Sequence, residues 1–125
     1  MNILKVFFAV LALSFSLNSL ALTDDEQMEF TDGVTEGKIK VVEKFVKADV
    51  KVVNEKFFGW SPIQMASNKD QLAIVKYLLG KGADINYVHP VAHHTAFMLA
   101  ALNGHEELAK YLAANGADVN VKLKG

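Results

Sequence analysis

A chain of 125 residues is about one domain long, and with 51% apolar and 22% charged residues it can bury a core, which excludes a disordered tail. All 13 bases are Lys, set against 14 acids, so the planar guanidinium fork that grips phosphates and guanine edges is absent and nucleic acid is not an expected partner. The absence of Cys excludes disulfides and a thiolate nucleophile.

The first segment, "MNILKVFFAVLALSFSLNSLA", has a short basic start at Lys5, an apolar run from Val6 to Leu17, and Ser19 and Ala21 at the −3 and −1 places of a cleavage site. It reads as a secretory signal peptide over residues 1–21, ahead of a domain over 22–125. Ser14, Ser16, Asn18 and Ser19 interrupt the run, which falls short of the about 20 residues a spanning helix needs. No stable membrane insertion is expected after cleavage, and no Cys is present to carry a lipid. Loss of Lys5 leaves 12 bases against 14 acids, a charge of −2. The expected location is periplasmic or secreted.

The mature region repeats itself. The first unit, about residues 24–56, is the faintest: Phe30, Gly33, Gly37, Val41, Val42 and Phe45 match Ile63, Ala66, Asp70, Ile74, Val75 and Leu78 of the second. In it, "TDDEQMEF" supplies acids ahead of a first helix. Val41, Val42, Phe45 and Val46 stand at helical spacing, which makes them a core stripe with the neighbouring lysines as its solvated face.

The second unit, about 57–90, opens a helix at Ser61 as a hydroxyl N-cap followed by Pro62, whose missing N–H costs nothing there. The third, about 91–125, repeats the cap at Thr95. "PIQMASN" and "AFMLAALN" span only about two turns, too few to stand without a neighbour. Gly104 ends one helix and Glu106 and Glu107 begin the next, at its positive end. "KYLLGKGADIN" and "KYLAANGADVN" close the two units, with Gly82 and Gly116 after the helix and Asp and Asn side chains able to bond nearby amides. Ala66, Ala100 and Ala101 are small enough for inner helices to approach closely. The polar outer faces at both ends read as caps of a complete array.

This chain resembles the ankyrin-repeat family over about residues 28–120, on "SPIQMAS", "VKYLLGKGADIN" and "TAFMLAALNGHEELAKYLAANGADVN". In the first unit "KADVKVVN" stands where the family's G-A-D turn belongs. The resemblance implies an all-α solenoid of three helix-hairpin units with β-hairpin-like finger loops, a protein-binding module that is a monomer when unbound. Gln64 and Met98 occupy the place of the family's inter-repeat histidine, which implies cohesion by apolar contacts; His105 matches the family's G-H and is expected to bond its own loop. Asn68, Lys69, Leu102 and Asn103 align with places the family uses for partner contact. Among exported bacterial members, the resemblance implies an inhibitor, an immunity protein or a protective companion of an enzyme, with an effector acting on a host protein as another possibility.

Catalytic signatures fail on inspection. "GWSPI" lacks the second glycine of a nucleophile elbow because Ile63 stands there, and "GKGADI" lacks a third glycine, so neither catalysis nor a cofactor is expected. Two loops remain as candidates. "HPVAHH" places His89, His93 and His94 together, either as a polar, mobile finger loop that Pro90 stiffens or as ligands for zinc or copper in a periplasmic metal-binding or redox-protective protein. "EKFFGWSP" puts Phe57, Phe58 and Trp60 in the finger of the second unit, either turned inward over the first unit or exposed as a recognition patch. With Tyr87, His89 and His94 of the next finger, they are the expected partner-contact residues.

Overall fold

Thr23 decides where the first helix begins. In the computed structural model, which describes residues 22–120, its Oγ1 accepts from the amide of Glu26 at 3.2 Å while the Glu26 carboxylate accepts from the Thr23 amide at 2.9 Å. Helix α1 (Asp24–Glu36) follows, so Asp24, Asp25 and Glu26 lie inside its first turn rather than ahead of it, where they meet the positive end of the helix dipole. The signal-peptide reading of 1–21 lies outside the described residues, as do 121–125.

Helix α2 (Ile39–Ala48) buries Val42, Phe45 and Val46, as its apolar spacing requires, with the Phe45 ring edge-on to Phe30 at 5.5 Å. Lys44 on its open side pairs with Glu29 of α1. "KADVKVVN" then forms a 3-10 turn (Val50–Asn54), which buries Val52 and Val53. The first unit therefore carries an extra turn where the other two have only their G-A-D corner. Asp49 nonetheless keeps the corner's local bond, accepting from the amide of Lys51 at 3.0 Å as Asp84 accepts from Asn86 at 3.0 Å.

Helices α3 (Pro62–Asn68) and α4 (Leu72–Gly80) form the second unit, α5 (Ala96–Leu102) and α6 (Glu106–Ala114) the third. Ser61 and Thr95 cap α3 and α5 as expected, each accepting from the amide three residues on. Helices α1, α3 and α5 pack side by side as an inner row, each with its outer partner behind it. The chain takes a left-handed turn at Gly37, Asp70 and Gly104, with φ of 76°, 57° and 73°. These matching corners fix the register of the faint first unit.

Neighbouring units are tied by side chains reaching main-chain carbonyls. Gln71 donates to Thr35 O at 2.9 Å, and His105, in the matching place, engages Asn68 O at 3.2 Å. His105 thus bonds the preceding unit and not its own loop. Asn54 donates to Gly82 O at 2.9 Å and accepts from Asp84 N at 2.9 Å; Asn86 repeats the clamp on Gly116 O and Asp118 N at 3.3 and 2.8 Å.

Gln64 corrects the expectation of purely apolar cohesion. It is fully buried and its amide nitrogen donates to Tyr87 O at 3.0 Å and His94 O at 2.9 Å, binding the second unit to the finger of the third. A carboxamide performs here the bridging expected of a histidine.

Ala66 and Ala100 are fully buried between inner helices, as their size predicts. Ala101 is exposed instead, because it lines a groove of about 420 Å³ between α5 and α6, with Phe97, Ala109 and Ala113. Matching positions one unit earlier, Ile63 and Val75, are buried. The face beyond α5 and α6 is therefore more apolar than a polar cap. No helix among the described residues is long and apolar enough to cross a membrane.

Candidate functional site: the fingers and the concave groove

The first finger is a two-residue hairpin. Phe57 and Trp60 exchange both main-chain hydrogen bonds, at 2.8 and 3.0 Å, and the tip residues Phe58 and Gly59 have φ of 54° and 83°. Two successive positive φ values match the twist of a tight hairpin, a geometry that Gly accepts and that a bulky residue adopts at a cost. The hairpin decides the fate of the three aromatics.

Phe57 points inward. It is 9% exposed and its ring lies 5.7 Å from that of Phe30, so its expected place in an exposed patch is corrected: the ring completes the core over the first unit. Trp60, three places on across the turn, is half-buried, its ring 3.9 Å from His89 and 6.4 Å from His94. Phe58 is 99% exposed.

The second finger holds the first in place. His89 is buried rather than part of a mobile loop: Nε2 engages Phe58 O at 3.1 Å, and Nδ1 accepts from the amides of Val91 and Ala92 at 3.1 and 3.0 Å. The neutral imidazole protonated on Nε2 satisfies all three bonds at once, an assignment that follows from the network. The Tyr87 hydroxyl donates to Gly59 O at 2.7 Å, with Lys56 over its ring. A Cβ at Gly59 would stand 2.7 Å from His89 Nε2, so the close approach of the fingers requires glycine there.

These bonds also answer the metal question. Both ring nitrogens of His89 are engaged, His93 is exposed at the tip, and His94 faces Trp60, so the three imidazoles do not converge. Among the described residues no three His, Cys, Asp or Glu side chains are grouped to hold a metal ion.

Below the fingers, a groove of about 230 Å³ runs along the inner helices, lined by Trp60, Met65, Asn68, Lys69, Leu99 and the edge of Thr35 and Gln64. Asn68 and Lys69 were singled out from the family resemblance; Met65 and Leu99 were not, although they match each other thirty-four residues apart. Asn103 donates to Asn68 Oδ1 at 2.9 Å beside this groove, and Leu102 is 54% exposed. The sequence reading also passed over Val91, 80% exposed at the second fingertip.

The comparisons with known proteins agree with this architecture. The family model described as ankyrin repeats, three copies, matches residues 32–122. The chain is 33% identical over 107 residues to the ankyrin repeat and SAM domain-containing protein 6 of Rattus norvegicus, covering 82% of this chain and 12% of that protein. It is 31% identical over 87 residues to the ankyrin repeat and KH domain-containing protein mask-1 of Caenorhabditis elegans, covering 70% of this chain and 3% of the relative. An ankyrin repeat protein of Rickettsia felis is 35% identical over 66 residues, 53% of this chain and 34% of its own. The chain thus spans a small part of these relatives, and what it shares with them is the repeat region. With helix pairs stacked in register, fingers projecting from one edge and a family match across most of its length, the chain belongs to the ankyrin-repeat family.

Proposed function

We propose that this chain is a protein-binding module whose first fingertip inserts into a partner, and not an enzyme. The observation that carries the reading is Phe58, 99% exposed with φ of 54°. A left-handed conformation costs a residue with a side chain about 1–2 kcal/mol, and an exposed ring recovers nothing by burial. A residue doubly unfavourable to the isolated fold, at the tip of a loop whose carbonyls are held by His89 and Tyr87, is what a preorganised hot spot requires.

The finer reading is export to the periplasm, supported by the pattern of Lys5, the run from Val6 to Leu17, and Ser19 and Ala21. A small exported binder of this kind serves as an inhibitor or immunity protein, or as a protective companion of an enzyme. The experiment is affinity capture from the protein's own cells with the native chain and with Phe58→Ala. One protein held by the first and lost from a folded second supports the reading, and N-terminal sequencing of the bait after residue 21 supports export. Equal capture by both baits removes Phe58 from the interface. Assaying the captured protein with added chain then separates inhibitor from companion.

A further inference from the structure

The concave groove carries information on what the partner presents to it. One wall is the Trp60 ring, and Met65 and Leu99 supply further apolar lining. At about 230 Å³ the space lies below the roughly 300 Å³ at which pockets for drug-sized molecules begin, so it suits a single large side chain better than a whole small ligand.

Apart from Thr35, whose hydroxyl donates to Thr31 O at 2.9 Å, the polar lining is rich in donors. Asn103 Nδ2 donates to Leu99 O at 2.8 Å, a main-chain acceptor, which fixes that atom as nitrogen; the same nitrogen faces Asn68 at 2.9 Å, so the Asn68 atom must be Oδ1. That leaves Asn68 Nδ2 with no hydrogen bond among the described residues. Among the described residues, Lys69 beside it makes no ion pair and no acidic residue lines the groove. The acceptor of Gln64 is already taken by the Ser61 amide at 3.1 Å, and its nitrogen by two carbonyls. The neighbouring pair Asn68 and Lys69 thus offers donors and a positive charge next to an apolar slot.

We infer that the groove takes an extended acidic segment of the protein partner, with a large apolar side chain against Trp60, Met65 and Leu99 and an adjacent Asp or Glu carboxylate on Asn68 Nδ2 and Lys69 Nζ. This rests on the reading of the chain as a protein-binding module, but it concerns the groove and not the fingertip. Charge complementarity selects the acidic segment: a basic one would bring like charge to Lys69, and a purely apolar one would cover Asn68 Nδ2 and Lys69 without giving them acceptors.

The test selects ligands from a random-peptide phage library on the full chain and reads synthetic copies of the enriched peptides by intrinsic fluorescence, since Trp60 is the one tryptophan. Enriched peptides should place Asp or Glu beside a large apolar residue and shift Trp60 emission. Lys69→Glu should weaken them by about tenfold or more. Asn68→Asp, which keeps the acceptor for Asn103 and replaces only the free donor, should weaken them likewise, with circular dichroism unchanged. Peptides without an acidic bias, peptides that leave Trp60 emission unmoved, affinities indifferent to Lys69→Glu, or no enrichment at all would each overturn the inference. Protein capture with Phe58→Ala reads the fingertip and peptide affinity with Lys69→Glu reads the groove, so a failed fingertip and a failed groove give different results.

Discussion

The side-chain amide of Gln64 donates to the carbonyl of His94 at 2.9 Å, joining a buried helical position of the second unit to the finger of the third. The same nitrogen holds Tyr87 O, and the oxygen holds the Ser61 amide. Removing the side chain leaves Tyr87 O and the Ser61 amide without their partner and takes one of two donors from His94 O, which keeps the His89 amide at 3.0 Å. Gln64→Ala should cost about 2–4 kcal/mol in urea unfolding, with loosening of the second finger. A loss below about 0.5 kcal/mol would mean that water replaces the bridge.

Phe57 and Phe58 should behave in opposite ways although they are neighbours. Phe57→Ala opens a cavity against Phe30 and should destabilise by about 3–5 kcal/mol. Phe58→Asn should instead raise stability by about 0.5–1 kcal/mol, because Asn before Gly suits the positive φ of a tight hairpin. Thermal melts of the two variants check both signs, and a destabilised Phe58→Asn would show that the exposed ring has a structural task.

The finger tie can be read amide by amide. His89→Phe keeps a ring against Trp60 but frees the Val91 and Ala92 amides and Phe58 O. Hydrogen exchange at Val91 and Ala92 should rise about tenfold or more while the buried amides of α3 and α4 keep their protection. Unchanged exchange would assign the order of this loop to Pro90 and the main-chain bonds alone.

Ser67 is a position where the present sequence is not the most stable one. Its hydroxyl is fully buried without a partner among the described residues, inside α3, and the matching residue of the third unit is Ala101. Ser67→Ala should gain about 1 kcal/mol in chemical unfolding, from the relieved hydroxyl and the better helix propensity. A loss would reveal a bridging water at that hydroxyl.

Local chemistry was legible in the sequence and distant chemistry was not. Ser61, Pro62 and Thr95 announce helix starts because their partners lie three residues away, and the matching positions of Val42 and Val75 announce a shared core face. The sorting of Phe57, Phe58 and Trp60 depends on the phase of a two-residue turn: one slip would exchange the buried ring for the exposed one. Gly59 carried that phase and went unread. The tasks of Gln64, His89 and His105 were hidden for another reason, since each acts on a carbonyl far along the chain, twenty-three to thirty-seven residues away. Repeat alignment shows which residues correspond, not which neighbour each one reaches.

The tie from His89 and Tyr87 back to Phe58 and Gly59 also sets an order in time. Phe58 leaves the ribosome about thirty residues before the side chains that hold its turn. Until those follow, the hairpin lacks its clamp and the ring has no fixed direction. On the proposed role of Phe58, competence to bind therefore arrives late in the life of the nascent chain, after the second finger has closed on the first, and an unfinished copy has no ready tip with which to engage a partner.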